Sequence, residues 1–125
     1  MTTTADQVRE WARTAARAAS AKGGEDTVII EVGLVLAITD AFVITSGRNG
    51  RQVKTIAEEV EAKLKAEGGI KPIRVEGLGD SQWILLDYGD LVVHVFLDET
   101  REYYDLERLW SDAPRVAWED ESARN

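Results

Sequence analysis

Residues 82–97 read QWILLDYGDLVVHVFL, two apolar runs on either side of Tyr88 and Gly89. Glycine at the second central position of a tight turn is typical of a two-residue β-hairpin. The turn predicts four cross-strand pairs: Leu86–Leu91, Leu85–Val92, Ile84–Val93 and Trp83–His94. This hairpin is the centre of the predicted sheet.

The two faces of the predicted hairpin differ, because side chains alternate across a strand. The aliphatic face carries Ile84, Leu86, Leu91, Val93 and Val95. The mixed face carries Trp83, Leu85, Asp87, Asp90, Val92, His94 and Phe96. A three-residue loop would shift the register by one and place His94 among aliphatic side chains, where its polar ring costs free energy. We therefore predict that the aliphatic face lies in the core and that the mixed face meets a polar and aromatic partner.

The bulk composition excludes several classes of function. The chain has 125 residues, the size of one domain with a substantial core. With a net charge of −8, the chain lacks the overall positive charge that is typical of proteins that bind nucleic acid. We expect no direct sequence-specific binding of nucleic acid, so that any RNA-associated role runs through a protein. The absence of cysteine excludes disulfides, thiolate metal sites and a cysteine nucleophile, and is compatible with a cytoplasmic protein.

The N-terminal arginines have two alternative interpretations. Arg9, Arg13 and Arg17 on an alanine-rich helix resemble an organelle transit peptide, but such peptides are poor in acids and Asp6 and Glu10 interrupt the row. We favour a folded helix whose arginines form a solvated, ion-paired surface. No run approaches the roughly 20 apolar residues of a membrane span, so no membrane association is expected.

Two long helices are predicted from their caps and their periodicity. Thr4 and Gln7 are typical of a capping box, and Gly23 ends that helix. Asn49 is the predicted N-cap of the second helix, which ends at Gly68. Its apolar residues recur at helical spacing and predict a buried stripe: Val53, Ile56, Ala57, Val60 and Leu64.

Three further strands complete a predicted mixed sheet of about five strands. They cover residues 27–32, 40–46 and 72–76, and the second is apolar on both faces, as in a central strand. Residues 34–38 are too short a run to assign. Beyond the hairpin, Thr100 is predicted to cap a short helical turn, and residues 105–110 form another. The predicted fold class is a single α/β domain with helices flanking the sheet.

Three groups of residues carry possible chemistry. The Ser46-Gly47 corner before a helix is a weak phosphate-site signal, since no dinucleotide or P-loop pattern accompanies it. Asp87 and Asp90 would need a third carboxylate to hold a metal for nucleotidyl transfer. His94 has no Ser or Cys partner in a triad pattern. The residues alone therefore favour a binding module over an enzyme.

Several segments together carry a family resemblance. They are residues 40–47 and 51–53, Glu76-Gly77, the W-x-L-L-D-Y-G-D-x-V-V-H-x-F block that starts at Trp83, and Arg101, Tyr104, Leu106, Glu107, Leu109 and Trp110. This set closely resembles the ribosomal silencing factor family, the Iojap-like proteins, over about Val8 to Pro114. The resemblance implies a nucleotidyltransferase-like fold without the catalytic carboxylates, no cofactor and no enzymatic activity.

The resemblance also implies a function and a surface. Family members bind the fourteenth protein of the large ribosomal subunit and sterically block its association with the small subunit, which represses translation under nutrient limitation. The partner-binding residues implied here are Trp83, Leu85, Asp87, Tyr88, Gly89, Asp90 and His94. The silencing-factor domain is expected over residues 1–114, followed by a charged, flexible tail over residues 115–125.

Two other expectations concern an alternative function and the oligomeric state. The alternative function is a metal-dependent nucleotidyltransferase that uses Asp87 and Asp90. A homodimer is expected when the protein is free, both from the family resemblance and because Trp83, Phe96 and Tyr103 with its neighbour Tyr104 predict more exposed aromatic surface than a small acidic monomer usually shows.

Overall fold

The computed structural model describes residues 4–33 and 39–119. In these residues the strands are β1 (Glu25–Glu31), β2 (Ala41–Gly47), β3 (Arg74–Glu76), β4 (Trp83–Asp87) and β5 (Leu91–Leu97). The helices are α1 (Ala5–Ala21), α2 (Gly50–Lys63, extended by a π-helical turn Leu64–Gly68), α3 (Asp98–Tyr104) and α4 (Leu106–Leu109). Residues 34–38, which the sequence leaves unassigned, lie outside the described residues.

The strands form one mixed sheet in the order β1-β2-β5-β4-β3. Strand β2 pairs with β5 in parallel, whereas the β1–β2, β5–β4 and β4–β3 pairs are antiparallel. The apolar strand predicted to be central is β2, which lies inside the sheet between β1 and β5. The predicted α/β fold class is confirmed.

The predicted hairpin register is wrong by two residues. Trp83 pairs with Phe96, and Leu85 pairs with His94. The turn is therefore centred on Gly89 and Asp90, one position later than predicted. Gly89 has a φ of +88°, a conformation that favours glycine and is typical of the first central position of a type II′ turn.

The two predicted faces of the hairpin are confirmed, because a shift of two residues leaves every side chain on its original side. All five residues of the aliphatic face are fully buried: Ile84, Leu86, Leu91, Val93 and Val95. They pack in one core cluster with residues of α1 and α2. Both helices therefore cover the aliphatic face.

The helix starts and the core stripe of α2 are as predicted. The Thr4 side-chain oxygen accepts a hydrogen bond from the Gln7 amide at 3.1 Å, and that of Asn49 accepts from the Gln52 amide at 2.8 Å. The predicted stripe is fully or almost fully buried: Val53, Ile56, Ala57, Val60 and Leu64. Arg9 of α1 pairs with Asp6 and with Glu31 of β1, and Arg13 pairs with Glu10.

Part of the opposite side of the sheet is covered by the C-terminal helices. Phe96 is fully buried in a second cluster with Ile30 and Ile44, against which Leu106 and Trp110 pack. The prediction that Phe96 is exposed is wrong, because the chain after β5 turns back over it.

The predicted cap of the first short helix is also wrong. Helix α3 begins at Asp98, two residues before Thr100. Its first turn contains Asp98 and Glu99, whose negative charges interact favourably with the positive end of the helix dipole.

Pro114 and the first residues of the predicted tail hydrogen-bond to the outer edge of β1. The Glu31 amide donates to the Pro114 carbonyl at 2.9 Å, and the Val116 amide donates to the Ile29 carbonyl at 3.0 Å. The Trp118 indole donates to the Thr27 carbonyl at 2.8 Å. These bonds attach residues 114–118 to the sheet, and residues 120–125 lie outside the described residues.

Candidate partner-binding site

The mixed face stays open at the end of the hairpin that carries the turn. A groove of about 380 Å³ lies there, across β3, β4, β5 and β2. Its apolar wall consists of Phe42, Ile73, Leu85 and Val92. Because β2 and β5 run parallel in register, Phe42 lies beside Val92. The groove therefore combines side chains that are far apart in the sequence.

Asp87, a charged residue of the groove, accepts two hydrogen bonds within the protein. One Asp87 carboxylate oxygen accepts from the Gly89 amide at 2.8 Å, and the other accepts from the Arg74 guanidinium at 3.2 Å. Glu76 lies in the same lining. Asp87 thus stabilises the turn that forms one end of the groove.

His94 lines the groove as a neutral imidazole. Its side chain is only 4 % exposed, and burial lowers the pKa of His94 to about 4. Its Nδ1 accepts a hydrogen bond from the Trp83 indole Nε1–H at 3.1 Å. An indole N–H can only donate, so Nδ1 carries no proton and the neutral ring carries its proton on Nε2. The Phe42 ring contacts the imidazole edge-on, with 4.7 Å between ring centroids.

Trp83 lies behind this groove and does not line it. Its ring centroid is 4.7 Å from that of Phe96 and 4.8 Å from that of Tyr104. Together with the bond to His94, these contacts place Trp83 between the groove and helix α3. Its contacts in the described structure orient and support His94.

The other two predicted site residues occupy different surroundings. Tyr88 is 9 % exposed and belongs to the core cluster under the aliphatic face. Burial raises the pKa of Tyr88, so its phenol stays neutral. The Asp90 carbonyl accepts from the amides of Asp40 at 2.9 Å and Ala41 at 3.2 Å, which joins the turn to the start of β2.

Of the seven residues that the family resemblance implies for partner binding, four share one groove: Leu85, Asp87, Gly89 and His94. The other lining residues of the groove were not predicted as site residues: Thr39, Phe42, Ile73, Arg74, Glu76 and Val92. The only sequence signal for Phe42 is its position on an apolar strand, and nothing in the sequence indicates that this strand pairs with β5.

The Ser46-Gly47 corner uses its polar groups within the fold. The Arg48 amide donates to the Gln52 side chain at 2.7 Å, and the Ser46 hydroxyl accepts from the Arg101 guanidinium at 3.0 Å. Arg101 is itself only 9 % exposed. These contacts support the structural interpretation of the corner over a phosphate site.

The described residues contain no group of three or more His, Asp or Glu side chains arranged to hold a metal ion. Asp87 is engaged by Gly89 and Arg74, as described above. No helix in the described part of the chain is long and apolar enough to cross a membrane.

Comparison with known proteins identifies the family. The model of the family "Ribosomal silencing factor during starvation" matches residues 5–125. The chain belongs to this family. It is 40 % identical over 111 residues to the ribosomal silencing factor of Halalkalibacterium halodurans, covering 89 % of this chain and 94 % of that protein. It is also 40 % identical over 100 residues to the silencing factor of Bacillus subtilis, covering 80 % and 84 % of the two chains.

The fold of this silencing-factor family member agrees with a solved structure. A crystal structure of a protein from Chromobacterium violaceum superposes with a TM-score of 0.79 at 32 % identity, covering 94 % of this chain and 96 % of that one. The family predicted from the hairpin block is therefore confirmed.

Proposed function

We propose that the protein binds the large ribosomal subunit through the fourteenth large-subunit protein and blocks its association with the small subunit, repressing translation when nutrients are short. Membership of the ribosomal silencing factor family supports this proposal. The observation that carries it is the open groove on the mixed face, which presents apolar and polar side chains from four strands. We also propose that it works in the cytoplasm, because the relatives that match over most of their length are bacterial silencing factors.

The groove has the composition of a protein-binding surface. Interface energy concentrates in a few central anchors, mostly apolar or aromatic, surrounded by a polar rim. Here Phe42, Leu85 and Val92 provide the apolar centre, while Arg74 and Glu76 provide charge. The other side of the same sheet is covered by α1 and α2, which leaves the mixed face as the surface for a partner.

The charge of the chain also suits a ribosomal partner. Ribosomal proteins that sit against RNA are basic, and the net charge of −8 attracts them while it repels the RNA phosphates. Binding would therefore be directed to the protein component of the subunit. The block is steric, because a folded domain held on the subunit interface prevents the small subunit from docking.

Sucrose-gradient profiles of purified subunits test this function. Added protein should reduce the peak of joined ribosomes and migrate with the large subunit. Leu85→Asp places a charge in the groove and should abolish both effects, whereas Thr55→Asp adds the same charge at an exposed position of α2, away from the groove and from α3 and α4, and should retain them. Unchanged profiles at saturating wild-type protein would contradict the function.

We infer that the protein is not an enzyme, as the names of its relatives suggest a regulatory role. Calorimetry with magnesium and nucleoside triphosphates tests the nucleotidyltransferase alternative. Saturable heat that disappears in Asp87→Ala would support that alternative and overturn our inference.

We also propose that the free protein forms a homodimer through the exposed apolar groups of α3 and α4. Tyr103 is 81 % exposed and Leu109 is 72 % exposed. Light scattering over a dilution series should show a dimer that dissociates on dilution, and Tyr103→Ser should shift the equilibrium towards monomer. A monomer at every concentration would rule the dimer out.

A further inference from the structure

Two buried polar atoms on residues of the groove have no hydrogen-bond partner within the described part of the chain. They are the Nε2 of His94 and the hydroxyl oxygen of Thr39. Thr39 is 5 % exposed and His94 is 4 % exposed. Buried polar groups are nearly always paired in folded proteins, so two unpaired groups in the lining of one groove are an unusual concentration. They indicate that the groove is completed by another molecule.

The hydrogen-bond chemistry of these atoms defines what the other molecule must offer. Since Nδ1 of His94 accepts from Trp83, Nε2 carries the proton and is a donor. The Thr39 hydroxyl can donate or accept. The occupant must therefore present at least one hydrogen-bond acceptor to His94, together with a polar group for Thr39.

The rest of the groove favours an uncharged acceptor. Asp87 and Glu76 lie in the lining, and Arg74 is already paired with Asp87. An anionic acceptor would meet these carboxylates and would lose its hydration against Phe42 and Val92, which makes its burial costly. A main-chain carbonyl next to an apolar side chain meets both requirements. The carbonyl accepts from His94 Nε2–H, and the side chain packs against the apolar wall.

We propose that the groove binds a loop of the protein partner, seating one apolar side chain against Phe42, Leu85 and Val92 while an adjacent main-chain carbonyl accepts from His94 Nε2–H. The Thr39 hydroxyl bonds a second polar group of the same loop. This inference rests on the proposed function and specifies its contact. Neither polar atom is accessible to solvent in the unbound protein, so a side chain of the groove moves when the loop enters.

The first test uses matched threonine variants and the isolated fourteenth large-subunit protein as the probe. Thr39→Val should weaken binding about 5- to 100-fold, because it removes one partner of a buried hydrogen bond. Its melting temperature should be unchanged or higher, since the hydroxyl has no hydrogen-bond partner among the described residues of the free protein. Thr39→Ser should restore binding. Thr55→Val, which changes an exposed residue of α2, is the control and should bind normally.

The second test observes His94 directly in the wild-type protein. The chain contains one histidine, so ring-nitrogen NMR spectra report on His94 without ambiguity. The free protein should show the Nε2–H tautomer. Adding the same probe should move the Nε2–H proton downfield and slow its exchange with water.

The outcomes separate this inference from the function on which it rests. If the wild type binds the probe, an unchanged Thr39→Val affinity or an unmoved Nε2–H proton at saturation overturns the groove contact and leaves the proposed function standing. If the wild type binds neither the probe nor the large subunit, the proposed function is overturned as well.

Discussion

The two faces of the β4–β5 hairpin share one backbone but have different surroundings. The aliphatic face is fully buried under α1 and α2 and consists of side chains without polar atoms. The mixed face is covered by the C-terminal helices at Phe96 and forms an open groove at Leu85. The aliphatic face contributes stability through burial, while the open part of the mixed face is the surface that we propose for the partner.

The largest expected effect is on the aliphatic face. Leu86→Ala should lower the free energy of unfolding by roughly 2–5 kcal/mol, because it leaves a cavity in a fully buried site. Urea denaturation measures this loss. Leu85→Ala is the matched control and should cost on the order of 1 kcal/mol, since Leu85 is only partly buried. A larger loss for Leu85→Ala than for Leu86→Ala would show that the assignment of the faces is inverted.

The second-largest expected effect is a loss of stability at low pH, caused by His94 on the mixed face. The pKa of His94 is about 4 in the folded protein, compared with 6.5 for an unperturbed histidine. Between these two pH values the unfolded chain binds a proton at His94 and the folded chain does not. Stability should therefore fall as pH decreases from about 6.5 towards 4. At about pH 4.5 the loss should reach roughly 2–3 kcal/mol.

The control for this pH dependence is His94→Gln, which removes the titrating ring and keeps the carboxylates that also titrate in this range. Urea denaturation of both proteins at pH 7 and pH 4.5 isolates the histidine contribution. Equal losses in the two proteins would mean that His94 does not have the buried, neutral state described here.

A smaller effect concerns the charge at the turn. Asp90→Asn should weaken binding to the large subunit at low salt by up to about 1 kcal/mol, and this difference should shrink as salt rises. Glu58→Gln makes the same change of charge on α2, away from the groove, and serves as the control. An effect of Asp90→Asn that does not depend on salt would indicate a local structural role instead.

The smallest expected effect is that of Tyr88→Phe, which tests whether Tyr88 lies outside the partner site. Tyr88→Phe removes a buried hydroxyl that has no hydrogen-bond partner among the described residues, so stability should stay the same or rise by up to about 1 kcal/mol. Binding to the large subunit should not change. The control is Tyr103→Phe, whose hydroxyl is on an exposed side chain. Weaker binding by Tyr88→Phe would place Tyr88 in the partner site, as the family resemblance implies.

Local features of the chain were predictable because they depend on neighbouring residues. The caps at Thr4 and Asn49 follow from side chains that reach amides three residues away. The division of the hairpin into two faces depends only on alternation, so it survived a register that was wrong by two residues. The turn position itself was missed, because glycine suits either central position of a hairpin turn.

Part of the candidate site was beyond prediction from local pattern. Leu85 and His94 belong to the hairpin, and its alternating pattern places them on one face. Phe42 and Thr39 reach the groove only because β2 pairs in parallel with β5, a contact between segments about 50 residues apart. Hydrophobic periodicity shows that a strand is buried but contains no information about its neighbour in the sheet.

The sequence by itself determined the family, the fold class and which side of the hairpin enters the core. Only the tertiary structure decided which part of the mixed face is covered by helices and which part forms the open groove. Phe96 is buried because α3 and α4 fold back over it, and Trp83 is held between Phe96 and His94. The physical reason is that alternation along a strand sets the direction of each side chain, whereas long-range packing decides which of those directions leads to solvent.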